Sequence, residues 1–292
     1  MKWSLAVHGG AGDWKSVKHR AALDGVRAAA SAGAALLESG ASALDAVCAV
    51  VVALENDPLF NAGTGGVLNR LGEAELDASV MRGTDLAFGG VGAIARVRNP
   101  VLIARAVMEH SGHALLVGEG ARQFARAQGF EDYDPISAQA RVDYQDKQAS
   151  AGLGTVGAVA LDAEGCWASA TSTGGVALKL PGRIGDSPLP GAGTYATRGA
   201  AVSATGQGEL IMRVLAAKSI SDLIVGGMHA QAAVESVLQS MRDTVGAGAG
   251  FIAIGANGTI GIAHDTLHMV HGWGSSESPR VEVRMRVGDS AG

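Results

Sequence analysis

The sequence predicts an α+β fold with helices packed outside mostly antiparallel sheets, and three observations carry that prediction. Strand-like apolar runs come in pairs joined by turn residues, as in TVGAVALDAEGCWASATSTGG and FIAIGANGTIGIAH. Helical patterns also come in pairs, lying between the strand pairs. The strict strand–helix alternation that marks a parallel doubly wound sheet is absent. A four-layer αββα sandwich fits this order.

Along the chain, WSLAVHGGAG (3–12) reads as a buried strand running into a glycine loop, because a short apolar run ends where glycines permit unusual backbone angles. Two helices follow, one over about 16 to 38, rich in Ala and Arg, and one from Ser42 to Glu55. Ser42 is a candidate N-cap, and the almost wholly apolar body of the second helix marks it for burial. NDPLFNAGTGGVLN then breaks the periodicity and predicts a compact loop. AELDASVM and LAFGGVGAIARV read as strands, NPVLIARAVMEHS and GEGARQFARAQGF as helices. Residues 131 to 153 are polar and weakly periodic, and read as a linker. Beyond it comes a hairpin turning at Asp162 to Gly165. GELIMRVLAAKSISDLI and the segment from about 227 to 242 read as helices, and a second hairpin has Asn257-Gly258 in a two-residue turn.

A chain of 292 residues allows two domains or one large layered domain. With 47 % hydrophobic and 17 % charged residues it can bury a sizeable core, and 43 glycines imply many tight turns. The net charge of −5, without any basic block, does not suggest a nucleic-acid partner. Cys48 and Cys166 lie far apart and form no CxxC pair, so reduced thiols are expected rather than a disulfide framework or thiolate metal site. WSLAV is too short for a signal-peptide core, and AVCAVVVAL at 46 to 54 is too short to span a bilayer. A soluble cytoplasmic protein is the expectation, with no membrane partner.

No P-loop occurs, and GEGARQ and GTGGVL lack the full GxGxxG fingerprint. His264, Asp265, His268 and His271 carry donor types that suit transition metals, but ordinary packing and surface roles outweigh that reading. HGGAG has two readings, an anion cradle of backbone N–H groups or a structural turn. The densest signal is the series TSTGG, PGRIGDSP, GAGTYA and ATGQGE, glycine loops that carry Thr173, Arg183, Asp186 and Thr205. Three residues apart in a turn-like segment, Arg183 and Asp186 can point a guanidinium fork and a carboxylate into one cleft, suited to the carboxylate and ammonium of an amino acid. A mutual surface ion pair is the plain alternative, worth ~0–1 kcal/mol. Thr155, set between glycines in GLGTVGAVAL, either begins a buried strand or does chemistry through its hydroxyl or its future α-amine.

HGGAG, PLFNAGTG, ELDASVM, GTVGAVALD, ATSTGG, PGRIGDSPLPGAGTYA and TGQGE occur in this order over nearly the whole chain. Together they resemble the isoaspartyl peptidase/L-asparaginase family, the plant-type asparaginases among the N-terminal-nucleophile hydrolases. The resemblance implies the αββα sandwich of that class and a single hydrolase domain made as an inactive precursor. It implies autocleavage between Gly154 and Thr155 into an α chain (1–154) and a β chain (155–292). Thr155 would then be the nucleophile against L-asparagine or β-aspartyl (isoaspartyl) peptides, with its free α-amine as base and a β-aspartyl ester as intermediate.

By the same resemblance Thr173 orients the nucleophile, and Asn61 supports it from the α chain. Thr205 and Gly206 stabilise the oxyanion. Arg183, Asp186 and Gly208 bind the substrate's α-carboxylate and α-ammonium. The loop LENDPLFNAGT resembles the family's sodium loop, with backbone carbonyls of Leu54, Glu55, Asp57, Phe60, Ala62 and Thr64 around a structural Na⁺; no catalytic cofactor is implied. The expected assembly is an (αβ)₂ heterotetramer. Two segments depart from the family pattern: HDTLHMVHGW replaces a stretch with Asn, Gly-Met and Arg, and GGVALKLPGR lacks Thr-Asn before its lysine. Related glycosylasparaginases share the PGRIGDSP-type segment, whereas GTVGAV and the Gly pair of TSTGG favour the isoaspartyl branch. A glycosylasparaginase-like hydrolase and a silent paralogue that binds aspartate-like metabolites are the alternatives.

Overall fold

The computed structural model describes residues 2–146 and 154–289. In chain order its elements are β1 (Ser4–Gly12), α1 (Ser16–Glu38), α2 (Ala43–Glu55), β2 (Leu76–Arg82), β3 (Ala87–Ile94), α3 (Pro100–His110), β4 (Leu115–Val117), α4 (Gly118–Ala127) and α5 (Ala138–Gln145). There follow β5 (Val156–Leu161), β6 (Trp167–Thr173), β7 (Thr194–Thr197), β8 (Ala200–Gly206), α6 (Gly208–Val214), α7 (Ala216–Val225), α8 (Ala230–Thr244), β9 (Ala249–Ile254), β10 (Ile260–His264), β11 (His268–Ser275) and β12 (Ser278–Arg284). The fold is α+β. An eight-stranded sheet runs β12-β11-β1-β5-β6-β2-β3-β4 and a four-stranded sheet runs β10-β9-β8-β7. Pairing is antiparallel except between β3 and β4.

Helices α1, α2 and α3 lie on the eight-stranded sheet, α7 and α8 on the four-stranded one, and the sheets meet through β1, β2, β5 and β6 against β7, β8 and β9. Each contact follows from an apolar face. Val26, Ala30, Val47 and Val51 bury against Leu5, Val7, Val156 and Ala158, while Ile220, Val234 and Leu238 bury against Val202, Ala204 and Phe251. Local chemistry sets the helix starts. The Ser42 hydroxyl accepts from the Asp45 N–H at 3.1 Å, and Pro100, which has no N–H to leave unpaired, opens α3.

The space between the sheets is divided. One part is apolar, built from Ala6, Val159, Ile252, Ile254 and Met269. The other is polar and fully buried, with His8, Ser79, Thr171, Thr194 and Ser203 on facing strands. Antiparallel pairing of His8 with Gly157, Val156 with Ser172, and Asp77 with Thr173 gathers the ends of β1, β5, β6 and β2 at one end of the large sheet. The candidate site is built there.

Several elements differ from the sequence expectation. HGGAG is not a loop; it completes β1, with a register shift between His8 and Gly10 against β11. The short β4, the small-residue strands β7 and β8, the His- and Gly-bearing β11 and the charged β12, which has only Val281 and Val283 as apolar residues, were not predicted, because their runs are too short or too mixed to mark a strand. The expected linker contains α5, started by Ser137, which accepts from the Ala140 N–H; residues 147–153 of that linker lie outside the described residues. Leu215 separates α6 from α7 with φ +48°. The Asn257-Gly258 pair does have positive φ, at +59° and +78°, but it sits in a longer connection closed by the Gly255 N–H donating to the Thr259 carbonyl.

Candidate active site

Thr155 stands just before β5, 8 % exposed. Its hydroxyl donates to Thr173 Oγ1 at 3.2 Å, and Thr173 Oγ1 also accepts the Gly175 N–H at 3.0 Å. Gly154 has φ +120°, a region that glycine enters without penalty. It lies against the end of β1 so closely that a side chain on Gly10, itself at φ +116°, would collide with the Gly154 backbone. Asn61 packs on the other side. Its Nδ2 donates to the Gly175 carbonyl at 2.7 Å, its carbonyl accepts the Gly174 N–H at 2.8 Å, and its Oδ1 accepts the Val67 N–H at 2.9 Å. Asn61 thereby pins the segment that follows Thr173.

Thr205 and Gly206 close β8, with φ +134° at Gly206. The backbone N–H of Ala11 donates to Thr205 Oγ1 at 3.0 Å, linking the end of β1 to β8 across the two sheets. Gly208 opens α6 beside the other two predicted binding residues: a Cβ there would come within 2.7 Å of Asp186 Oδ1 and 3.0 Å of an Arg183 guanidinium nitrogen. Arg183 also borders Gly175, so the three predicted binding residues adjoin the segment held by Thr173 and Asn61.

The electrostatics are uneven. Asp186 is buried, and its Oδ2 has no hydrogen-bond partner among the described residues. Burial pushes its carboxyl up to about 7, against the opposing pull of its own backbone N–H and the Arg183 charge. Arg183 is turned toward Glu209, to which Nε donates at 2.9 Å, with NH2 2.8 Å from the same oxygen. Arg183 and Asp186 are therefore not each other's hydrogen-bond partners, which removes the plain alternative of a mutual surface pair.

Other groups that the sequence reading did not single out hold this segment. Asp77 accepts the Gly185 N–H at 2.9 Å and the Ala93 N–H at 2.8 Å. Lys179 Nζ donates to the carbonyls of Glu75 at 2.6 Å and Gly174 at 3.0 Å, and the Glu75 carboxylate accepts the Gly182 N–H at 3.0 Å. Burial raises the Asp77 carboxyl and lowers the Lys179 ammonium, and their mutual attraction opposes both shifts. Charges inside the otherwise apolar ELDASVM and GGVALKL were the available signal. His8 was also missed, because HGGAG drew attention to its glycines.

In the loop at 54–64 the carbonyls of Leu54, Asp57, Phe60 and Ala62 accept the N–H groups of Asp57, Phe60, Ala62 and Gly65. The loop is wound tightly: a Cβ on Gly63 would come within 2.5 Å of the Glu55 carbonyl, and one on Gly65 would overlap the Phe60 carbonyl. Each of these oxygens keeps a second lone pair, so the donor set suits a hard monovalent cation. The Glu55 side chain points elsewhere, accepting Ser172 Oγ at 2.6 Å, the Val101 N–H at 3.1 Å and Asn99 Nδ2 at 3.0 Å. Burial pushes its carboxyl up to about 8.

The four C-terminal candidates for a transition metal go to separate partners. Asp265 accepts the Gly248 and Ala249 N–H groups, His264 donates to the Thr266 carbonyl, His268 accepts from Arg286, and His271 donates to the Met269 carbonyl. A cavity of about 470 Å³ is lined by Glu73, Glu75, Arg96, Glu119, Arg122 and Asp134 among others; it contains none of the predicted catalytic residues, and Arg122 is paired with Glu119.

A family model described as Asparaginase matches residues 1–146 and 136–282. The plant-type L-asparaginase of Pyrococcus abyssi is 42 % identical, the alignment covering 91 % of this chain and 94 % of that protein. The isoaspartyl peptidase of Escherichia coli is 40 % identical over 98 % and 97 % respectively. An isoaspartyl peptidase/L-asparaginase of Danio rerio is 38 % identical over 98 % and 96 %.

Proposed function

This chain belongs to the asparaginase family, and on that premise we propose that it is a self-processing amidohydrolase for β-aspartyl peptides and L-asparagine, with Thr155 as nucleophile. The observation that carries the proposal is the buried Thr155 hydroxyl, hydrogen-bonded to Thr173 and preceded by Gly154 at φ +120°. The relatives named isoaspartyl peptidase and L-asparaginase support the substrate class. The stack of helices, eight-stranded sheet, four-stranded sheet and helices supports a single four-layer αββα domain of the N-terminal-nucleophile hydrolase type.

In the precursor, Thr155 Oγ attacks the carbonyl carbon of Gly154. The C–N bond breaks, the nitrogen takes up the hydroxyl proton, and an ester joins Gly154 to Oγ. Water hydrolyses that ester, leaving a carboxylate on Gly154 and a free amine on Thr155. A free α-amine has a pKa of about 7.7 to 8.0, so much of it is neutral near physiological pH and can serve as base for its own hydroxyl. In turnover, Oγ attacks the side-chain carbonyl of asparagine or the β-linked carbonyl of an isoaspartyl peptide. The amine of Thr155 carries the hydroxyl proton to the leaving nitrogen, and water hydrolyses the β-aspartyl ester.

Arg183 takes the substrate α-carboxylate. Asp186, with an oxygen that has no partner among the described residues, takes the α-ammonium, and Gly208 leaves room for both. The Thr205 oxygen already accepts the Ala11 N–H, so its hydroxyl hydrogen remains for the oxyanion alongside the Gly206 N–H. Such donors typically contribute a few kcal/mol each. Thr173 orients Oγ, and Asn61 fixes the loop behind it.

The carbonyls of Leu54, Glu55, Asp57, Phe60, Ala62 and Thr64 hold a structural Na⁺; replacing Na⁺ by the bulkier tetramethylammonium at constant ionic strength lowers the melting temperature if they do. The cleaved units assemble as (αβ)₂ in the cytoplasm. Among the described residues no helix is long and apolar enough to cross a membrane.

Denaturing intact-mass analysis after incubation tests the proposal. Fragments ending at Gly154 and beginning at Thr155 are expected, together with ammonia or amino-acid release from asparagine and isoaspartyl dipeptides. A chain that stays whole and turns over neither substrate would overturn it in favour of a silent paralogue.

A further inference from the structure

A buried imidazole joins the two sheets directly behind the nucleophile, and the proposed chemistry does not use it. His8 is wholly buried on β1, opposite Gly157 of β5. Its Nδ1 lies 2.9 Å from the Thr155 carbonyl and its Nε2 2.9 Å from Ser203 Oγ on β8. A carbonyl only accepts, so Nδ1 carries the hydrogen. Burial pushes the imidazole down to about 3, so the ring is neutral and Nε2 accepts the Ser203 hydroxyl hydrogen.

The rest of the chain follows from these two bonds. With its own hydrogen committed, Ser203 accepts from Thr171 at 2.7 Å. Thr171 accepts the Thr194 hydroxyl at 2.6 Å; Ser79 Oγ lies 2.8 Å from Thr194, but its one hydrogen goes to the Ser187 carbonyl at 2.6 Å. Four side chains on four strands, Thr194, Thr171, Ser203 and His8, thus donate in one direction, ending at the carbonyl of Thr155. Such ordered chains polarise one another, and in a water-free gap each unmade bond is costly. Gly157 supplies an independent sign that this space is kept for the pair: a Cβ there would overlap both Ser203 Oγ and His8 Nε2.

We infer that His8 is a positioning residue, tying the Thr155 carbonyl to β8 so that the nucleophile and the oxyanion donors two and three residues beyond Ser203 keep one geometry. This rests on the reading of Thr155 as nucleophile. Fixing the carbonyl fixes the rotation of the Thr155 backbone, and with it the directions of Oγ and of the amine freed by cleavage. Displacements of about 1 Å in such a site can cost on the order of 100-fold in rate. The effect therefore falls on kcat, while Arg183 and Asp186 continue to set KM.

The test compares wild type, His8→Leu, His8→Asn, Ser203→Ala and Gly157→Ala, with kcat and KM expressed per Thr155 N-terminus and melting temperatures measured alongside. His8→Leu is expected to lower kcat ~100-fold with KM nearly constant. His8→Asn, whose Nδ2 can replace Nδ1 at the carbonyl, is expected to restore at least tenfold of that loss. Ser203→Ala and Gly157→Ala should each lower kcat with little change in KM, and they keep the inference testable if His8→Leu does not fold. Long-range ¹H–¹⁵N spectra of the wild type should show a neutral ring protonated on Nδ1 from pH 5 to 9.

Unchanged kcat in folded His8→Leu and Ser203→Ala would overturn the inference. So would equal loss in His8→Asn and His8→Leu, or a ring protonated on Nε2. If the wild type neither cleaves nor turns over, the nucleophile reading fails instead, a result distinct from active wild type with unaffected variants.

Discussion

Replacing Asp186 with Asn should make the protein more stable above neutrality while disabling it. The Asp186 carboxyl is raised by burial from its ordinary 3.8 to about 7. Between those values the folded chain holds a proton that the unfolded chain releases, so stability is greatest below about 4, falls as pH rises toward 7, and is level above. The buried carboxyl therefore costs the fold ~4 kcal/mol at pH 8, where it is ionised, but only ~2 kcal/mol at pH 5, where it holds its proton. Asn removes this term and leaves an amide donor unpaired where Oδ2 stood, at ~1–3 kcal/mol, the same at both pH values. The pH-dependent difference, ~2–3 kcal/mol more favourable to Asn at pH 8 than at pH 5, isolates the charge. Urea unfolding followed by tryptophan fluorescence, with Thr155→Ala in both chains to hold the covalent state constant, measures it. An identical effect of the substitution at pH 5 and pH 8 would refute the reasoning. In the active enzyme the same substitution should lower kcat/KM by ~100-fold or more, because the ammonium loses its buried counter-charge.

Three other outcomes follow from the same geometry. The kcat/KM profile should fall about a hundredfold per pH unit below about 7, tenfold as the Thr155 amine takes up its proton and tenfold more as free Asp186 does; a fall of only tenfold per unit down to pH 5 would contradict this role of Asp186. Arg183→Ala should chiefly raise KM for substrates bearing an α-carboxylate, whereas an effect confined to kcat would assign it another task. Gly10→Ala places a Cβ against the Gly154 backbone at φ +116°, so on gels the precursor should accumulate uncut and the urea midpoint should drop, for a cost of roughly 1–3 kcal/mol. Normal cleavage by that variant would mean that the approach of β1 to Gly154 does not matter.

Much of the fold was legible because it depends on local periodicity. The helices over 16–38 and 42–55, the hairpin turning at Asp162 to Gly165, and the helix after Pro100 stand where their apolar spacing and caps put them. Strands β7, β8 and β11 were illegible for the opposite reason: small residues, glycines and histidines carry little alternation, and β11 finds its inner partner β1 at the other end of the chain. The site divides in the same way. Thr155, Thr173, Arg183, Asp186, Thr205 and Gly208 were named from motifs that describe what each residue can do.

What the sequence determined by itself is the set of chemical groups and the local turns that present them, because hydroxyls, charges and glycine backbone freedom act within a few residues. Only the tertiary structure decided how those groups are partnered. It turned Arg183 toward Glu209, left one oxygen of Asp186 without a partner among the described residues, clamped Gly185 on Asp77, and spanned the sheets with His8 from Thr155 to Ser203. The reason is physical. Burial and long-range pairing set the local dielectric and the available partners, and those in turn fix which proton is held, which oxygen stays free, and where the Thr155 hydroxyl points.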